Sequence, residues 1–216
     1  MSRSASITII YDNTSQREDL AADRGFACLV ETGARRLLFD TGAKGELLLA
    51  NMEALNIDPV SIGEVFISHD HWDHTGGLSA ILAANPTVRV WVPSGCQSVR
   101  SSEQIIVVDE PQSLSAGLHS TGPLAGIEQS LVISTEAGAV VVVGCSHPGA
   151  GQILDAASTH GRPRALIGGL HGFDDYPRLA GLDLICPTHC TQHIDEIRSR
   201  YPDEFIPGGA GTVIEL

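Results

Sequence analysis

The sequence is short of positive charge, of cysteines arranged in pairs and of long apolar runs, and each shortage narrows what the chain can do. Thirteen Lys and Arg face 26 Asp and Glu, a formal net charge of −13 over 216 residues. That balance works against binding the phosphates of DNA or RNA, although bound dications reverse the field locally. No stretch approaches the roughly 20 apolar residues that span a bilayer. The opening Met1-Ser2-Arg3-Ser4 leads into a short β-like run and no signal-peptide core. The expected protein is soluble and cytoplasmic, with neither nucleic acid nor membrane as a partner. Its five cysteines are an odd number without a paired framework, which fits a reducing compartment. Low-complexity tracts are missing too, and 43% hydrophobic with 18% charged residues is a globular composition. The length suits a single α/β domain spanning 1–216, and 11 prolines with 23 glycines suit a loop-rich sheet protein.

What the chain does have is concentrated at residues 65–77. Val65-Phe66-Ile67 reads as the end of a buried strand and runs straight into Ser68-His69-Asp70-His71-Trp72-Asp73-His74-Thr75-Gly76-Gly77. Imidazole nitrogen and carboxylate oxygen are the donor types of Zn²⁺ and its first-row neighbours. His69 and His71 stand two apart and point the same way from an extended segment, while Asp73 and His74 enter the next turn, so two ions can be held side by side. Thr75-Gly76-Gly77 would let backbone approach those ions before a helix begins at about Leu78, with Leu78, Ile81 and Leu82 at helical spacing. A polar surface loop with scattered histidines is the competing reading, and the strand-loop-helix context disfavours it.

Apolar periodicity predicts strands at 6–11, 26–32, 35–39, 88–92, 130–135, 139–143, 164–167 and 182–186, a possible strand at 105–108, and a last one through Val213-Ile214. Amphipathic helices are expected at 43–55 and from Pro148-Gly149 to about 158. Between 94 and 126 the signals are weak, with turns at Pro111 and Gly117. Three later strands end in histidine: Gly144-Cys145-Ser146-His147, Gly168-Gly169-Leu170-His171 and Pro187-Thr188-His189-Cys190. Repetition of strand, helix and histidine in both halves suggests two sheets face to face with helices outside. Asn13 either faces the site from the end of the first strand or is an ordinary turn asparagine. Arg17 and Arg24 are nearby cations that could meet an anionic substrate, or plain surface arginines. Asp40, at a strand end, could accept a hydrogen bond from a ligand histidine. Cys145 and Cys190 are either soft ligands or small buried residues, the second favoured. His119 stands alone and is left out of the site; His160 and His193 read as surface residues on helices.

The motif His69-x-His71-x-Asp73-His74 after an apolar strand, with Phe39-Asp40-Thr41-Gly42 upstream, resembles the metallo-β-lactamase superfamily over most of the chain. The three later histidine segments resemble its subgroup of metal-dependent hydrolases similar to the archaeal dihydropterin ribofuranosylaminobenzene phosphate synthase. The resemblance implies an α/β fold, a four-layer αββα sandwich of two mixed sheets packed face to face with helices outside. It implies one divalent metal on His69, His71 and His147 and a second on Asp73, His74 and His189, zinc first, with manganese, iron or nickel open. Many members carry a bridging aspartate where this chain has His171, with Asp174 and Asp175 just beyond. In order of preference, His171 then ligates or leans on the second metal, contacts substrate as general acid or anion binder, or caps its strand; a less permanent dinuclear centre follows. The implied activity is hydrolysis of a small anionic substrate by a metal-bridging hydroxide, with a phosphodiester or phosphate-bearing compound ahead of a lactone or thioester. Asp73 would orient the hydroxide, and His171 or a metal-bound water would protonate the leaving group. The alternatives are synthase-like transfer on a phosphorylated pterin or ribosyl compound, and a non-catalytic metal-binding sensor.

Overall fold

A run of β-branched residues shows how the layers are built. The strand Gly138–Val143 carries four consecutive valines, all fully buried. Because side chains alternate across a strand, Val140 and Val142 face the other sheet while Val141 and Val143 face a helix layer. Only a central strand covered on both faces uses such a run.

A computed structural model of the protein describes residues 5–99 and 103–216. The reading of Met1–Ser4, and the part of the weak segment at 100–102, lie outside the described residues. The strands are β1 (Ala5–Tyr11), β2 (Ala27–Thr32), β3 (Arg35–Phe39), β4 (Glu64–Phe66), β5 (Arg89–Pro93), β6 (Ile105–Val108), β7 (Gln112–Ser115), β8 (Leu118–Ser120), β9 (Leu131–Thr135), β10 (Gly138–Val143), β11 (Pro163–Gly169), β12 (Leu184–Thr188) and β13 (Val213–Glu215). The helices are α1 (Gly45–Ala54), α2 (Trp72–Thr75), α3 (Leu78–Ala84), α4 (Ala150–Ala157) and α5 (Ile194–Arg200).

One sheet has the order β13-β1-β2-β3-β4-β5-β6 and the other β12-β11-β10-β9-β8-β7. Both are mixed. Strands β3 to β6 run parallel, as do β10 to β12, and the remaining pairs are antiparallel. The inner faces meet in one apolar cluster that includes Phe26, Phe39, Phe66, Val140, Val142 and Ile167. Within it Phe39 stacks on Phe66 at 5.4 Å and meets Phe26 edge-on at 6.1 Å. Leu48 and Met52 of α1 and Ile81 of α3 cover the outside of the first sheet. Ile153 of α4 and Ile197 of α5 cover the outside of the second. This is the αββα sandwich expected. Among the described residues no helix is long and apolar enough to cross a membrane.

Several boundaries moved for physical reasons. β11 extends to Gly169 and β12 runs to Thr188 because the two pair in parallel, Gly168 opposite Pro187 and Gly169 opposite Thr188. The segment read only as turns at Pro111 and Gly117 holds the hairpin β7-β8, too short and polar to show alternation. His119 on β8 is not isolated: its ring stacks on His160 at 4.0 Å. His160 lies in the 3-10 turn Ser158–His160 after α4, and His193 stands at the N-terminal boundary of α5 without a side-chain capping bond.

Candidate metal centre

The parallel strands of both sheets end at one edge, the position at which open sites form in α/β folds. β3 leads into Asp40, β4 into Ser68–His74, β10 into Cys145 and His147, β11 into His171, and β12 into His189 and Cys190. The chain turns sharply at these junctions. Asp40, Ser146, His171 and His189 all adopt left-handed backbone, with φ of 54°, 59°, 48° and 48°. For residues with a Cβ this costs on the order of 1–2 kcal/mol each, offset by what their side chains and neighbours bind.

The structure gathers the expected donors into two groups. One donor atom each from His69, His71 and His147 lie within 4.8 Å of one another, and the same holds for Asp73, His74 and His189. His69 Nε2 is 3.0 Å from His71 Nδ1, and the His147 ring centre is 4.9 Å from both of their rings. His189 Nε2 lies 3.6 Å from Asp73 Oδ2. His74 joins the groups, its ring 4.2 Å from that of His69 and 5.0 Å from that of His189. Asp73 and His74 reach inward from the single turn of α2, where both are buried.

The hydrogen bonds behind the rings determine which nitrogen is free. Asp40 accepts from His74 Nδ1 at 2.7 Å, from the Ser68 backbone N–H at 2.7 Å and from Ser68 Oγ at 2.7 Å. Ser68 has spent its one proton on Asp40, so its oxygen accepts from His69 Nδ1 at 2.9 Å. Asn13 Nδ2 donates to His189 O at 3.0 Å, while Asn13 Oδ1 accepts from the Gly25 N–H at 3.1 Å and from His189 Nδ1 at 2.8 Å. Asp12 accepts the His189 backbone N–H at 2.7 Å. In His69, His74 and His189 the Nδ1 proton is thereby held outward and the Nε2 lone pair faces the centre. His147 Nε2 and His189 Nε2 are buried without a hydrogen-bond partner.

The electrostatics favour the neutral form at three of the histidines. Burial and then the neighbouring imidazoles push the pKa of His69 far down and that of His189 down to about 3; burial and then His71 lower that of His147. For His74 burial is outweighed by the Asp40 carboxylate, and its pKa stands above the ordinary value. Burial raises the Asp73 carboxyl, but His74 and Arg24 leave it below the usual carboxylate range.

Asp40 therefore lies behind His74, as read from sequence. His171, given first to the second metal, belongs to neither group of donors: it is exposed, with its ring 5.2 Å from that of His147. It lines a cavity of about 590 Å³ together with Asn13, Arg24, His189 and Cys190. Arg24 also contacts Asp73 Oδ2 at 3.1 Å and lies over the exposed Trp72 ring at 5.7 Å. Arg17 is paired with Asp19 at 2.6 Å and is not among the residues lining that cavity. Gly76 and Gly77 permit a further close approach: a Cβ on them would meet Ala43 O at 2.1 Å and Thr41 O at 2.2 Å, so they let the end of α2 pack on the loop that follows β3.

Glu128 is the residue that sequence reasoning missed. Fully buried, it accepts backbone N–H bonds from Gly144, Cys145 and Ser146 on Oε1 at 3.0, 3.0 and 3.1 Å, and from His147 on Oε2 at 2.9 Å. Gln129 beside it donates from Nε2 to Ile67 O at 2.8 Å and from its backbone N–H to Ser68 O at 2.9 Å. Residues 128 and 129 thus tie the two histidine loops together from behind. A Glu-Gln pair in a loop gives no sequence signal of that role.

Comparison with known proteins agrees with this geometry. The family model of the Metallo-beta-lactamase superfamily matches residues 21–170. The chain is 26% identical to the 7,8-dihydropterin-6-methyl-4-(beta-D-ribofuranosyl)-aminobenzene-5'-phosphate synthase of Methanocaldococcus jannaschii, over 97% of this chain and 95% of that one. The crystal structure of Tm1679, a metal-dependent hydrolase of the beta-lactamase superfamily, is similar with a TM-score of 0.80 and 25% identity, covering 98% of this chain and 99% of the other. The metallo-beta-lactamase fold protein YhfI from Bacillus subtilis shares the fold at a TM-score of 0.72 and 15% identity, covering 99% and 100%. With that family model matching well over half of its length and with the two mixed sheets and covering helices of the fold, the chain belongs to the metallo-β-lactamase superfamily.

Proposed function

We propose that the chain is a metal-dependent hydrolase of small anionic substrates, phosphodiesters or other phosphate-bearing compounds ahead of lactones and thioesters, working as one domain over residues 1–216. One observation carries this reading: two donor triads meet, His189 of the second lines an open cavity, and the buried Nε2 atoms of His147 and His189 have no hydrogen-bond partner. Such atoms are costly unless something binds them. The donor set is nitrogen and oxygen, with His69, His147 and His189 biased to the neutral form and the Nε2 atoms of His69, His74 and His189 turned inward, and it fits divalent ions of the zinc type.

His69, His71 and His147 would hold one ion and Asp73, His74 and His189 the other. Bound there, a pair of dications supplies Lewis acidity, bringing the pKa of water from roughly 16 toward about 7 and offsetting charge on an attacked phosphoryl or carbonyl oxygen. Asp73 stays ionised and is aimed by Arg24, so its carboxylate orients the attacking water. Arg24 offers a guanidinium to the substrate's anionic group from the cavity wall. His171, exposed on the same wall, is positioned to give the leaving group its proton.

The Methanocaldococcus relative is named a synthase, which supports group transfer as a second reading with the same donors. Turnover of metal-loaded protein in ¹⁸O water separates them. Hydrolysis puts label into the product, and label-free product formed only with a second substrate would favour transfer. Full metal loading without turnover of a panel of phosphodiesters, lactones and thioesters would overturn both and favour a sensor.

Asn13→Ala is expected to weaken metal binding at the second triad by about 10–100-fold, because the substitution releases the outward hold on His189 Nδ1. Titration calorimetry on chelator-stripped protein measures it. Asn13→Asp keeps an acceptor at that nitrogen and should stay within a few-fold of wild type; equal affinities in all three proteins would contradict the role.

A further inference from the structure

A sulfur stands between the two triads. Cys145 Sγ lies 3.3 Å from His74 Nε2, the nitrogen left free once Nδ1 is bound to Asp40. Its donor atom is within 4.8 Å of those of His69 and His74, and again of those of His189 and Cys190. Cys145 is thereby the neighbour of donors from both triads, buried with only 4% of its surface exposed. Its position is imposed by the backbone, since its own N–H and those of Gly144, Ser146 and His147 are bound to Glu128.

The end of β11 contributes no competing donor. A Cβ on Gly168 would meet Val143 O at 2.0 Å, and one on Gly169 would meet Gly144 O at 2.5 Å and Cys190 Sγ at 2.6 Å. No side chain can enter from those two positions, and a thiol already fills the space beside Gly169. Among the described residues, Asp73 is the one carboxylate in the four clusters of converging donors. The second triad therefore has one oxygen and two nitrogens, three protein donors, so a zinc-type ion held there has room for a further donor as well as for water, since such ions expand to five-coordinate.

We propose that the Cys145 thiolate is a fourth protein donor to the second metal, beside Asp73, His74 and His189, with Cys190 packed against it. This rests on the metal-centre reading given above and extends it to the choice of ion. On binding, the thiol proton leaves to solvent and a sulfur–metal bond forms, with no redox change. A thiolate in the set makes this position favour Zn²⁺, Co²⁺ or Fe²⁺ over Mn²⁺ or Mg²⁺.

Cobalt loading of chelator-stripped protein tests the proposal, with bound ions counted by elemental analysis. Wild type and Cys190→Ala should show the sulfur-to-cobalt charge-transfer band in the near ultraviolet. Cys145→Ser should lose that band, keep the visible cobalt bands of the first triad and bind the second ion roughly tenfold or more weakly. X-ray absorption at the zinc edge of wild-type protein reads the same contact without any substitution, as a sulfur neighbour at about 2.3 Å. Two ions bound with no sulfur neighbour, or a band lost in Cys190→Ala and kept in Cys145→Ser, would overturn the proposal and leave the metal centre standing. Failure to bind cobalt or zinc at all would overturn the metal-centre reading, and the proposal with it.

Discussion

Replacing His71 or Asp73 by alanine is expected to lower kcat/KM by roughly a thousandfold or more, with about one metal equivalent lost per chain. The two residues stand in different triads, so each variant should retain the ion of the other. The size of the loss follows from the proposed chemistry: without the ion, water near neutral pH is a poor nucleophile by many units of pKa. Neither substitution should unfold the protein. His71 is exposed, and a surface change of that kind moves stability by only about 0.5 kcal/mol; Asp73 is buried between Arg24 and His189, so its removal should cost more, about 1–3 kcal/mol, without abolishing folding. Activity and metal content are measured on the same preparations, alongside urea unfolding of the metal-free proteins. Wild-type turnover with the ion gone would refute the assignment.

Glu128→Ala should have the largest effect on stability, a loss of about 3–5 kcal/mol in the metal-free protein. Its carboxylate satisfies four backbone N–H groups, three of them in fully buried contacts, and alanine would leave them all without an acceptor. Burial pushes the Glu128 carboxyl up, while those N–H groups oppose the shift. Glu128→Gln keeps one oxygen for three of the N–H groups but turns an amide toward His147, so a loss of about 1–3 kcal/mol is expected. Urea midpoints at constant slope give both values. In Glu128→Ala the Gly144–His147 loop would also lose its backing, and metal affinity at the first triad should fall with stability. A midpoint unchanged from wild type would show that the carboxylate does not hold this loop.

The sequence by itself determined what depends on neighbours along the chain. Alternating apolar residues mark most of the strands, the valine run of β10 marks a doubly covered one, and the spacing of His69, His71, Asp73 and His74 marks donors leaving one strand end. Local periodicity and consecutive positions in one loop are properties of a segment, so they survive in one dimension. Only the tertiary structure decided how distant strand ends meet. Asn13 orients His189 across 176 positions of sequence, and Glu128 braces a loop up to 19 positions away. Cys145 reaches both triads, whereas His171, at an equally conspicuous junction, turns to the cavity wall. The physical reason is that both sheets deliver their parallel strands to one edge, and the left-handed turns there set each side chain's direction. Register between sheets and a single backbone angle decide which side chain reaches the centre, and neither is written in residue order.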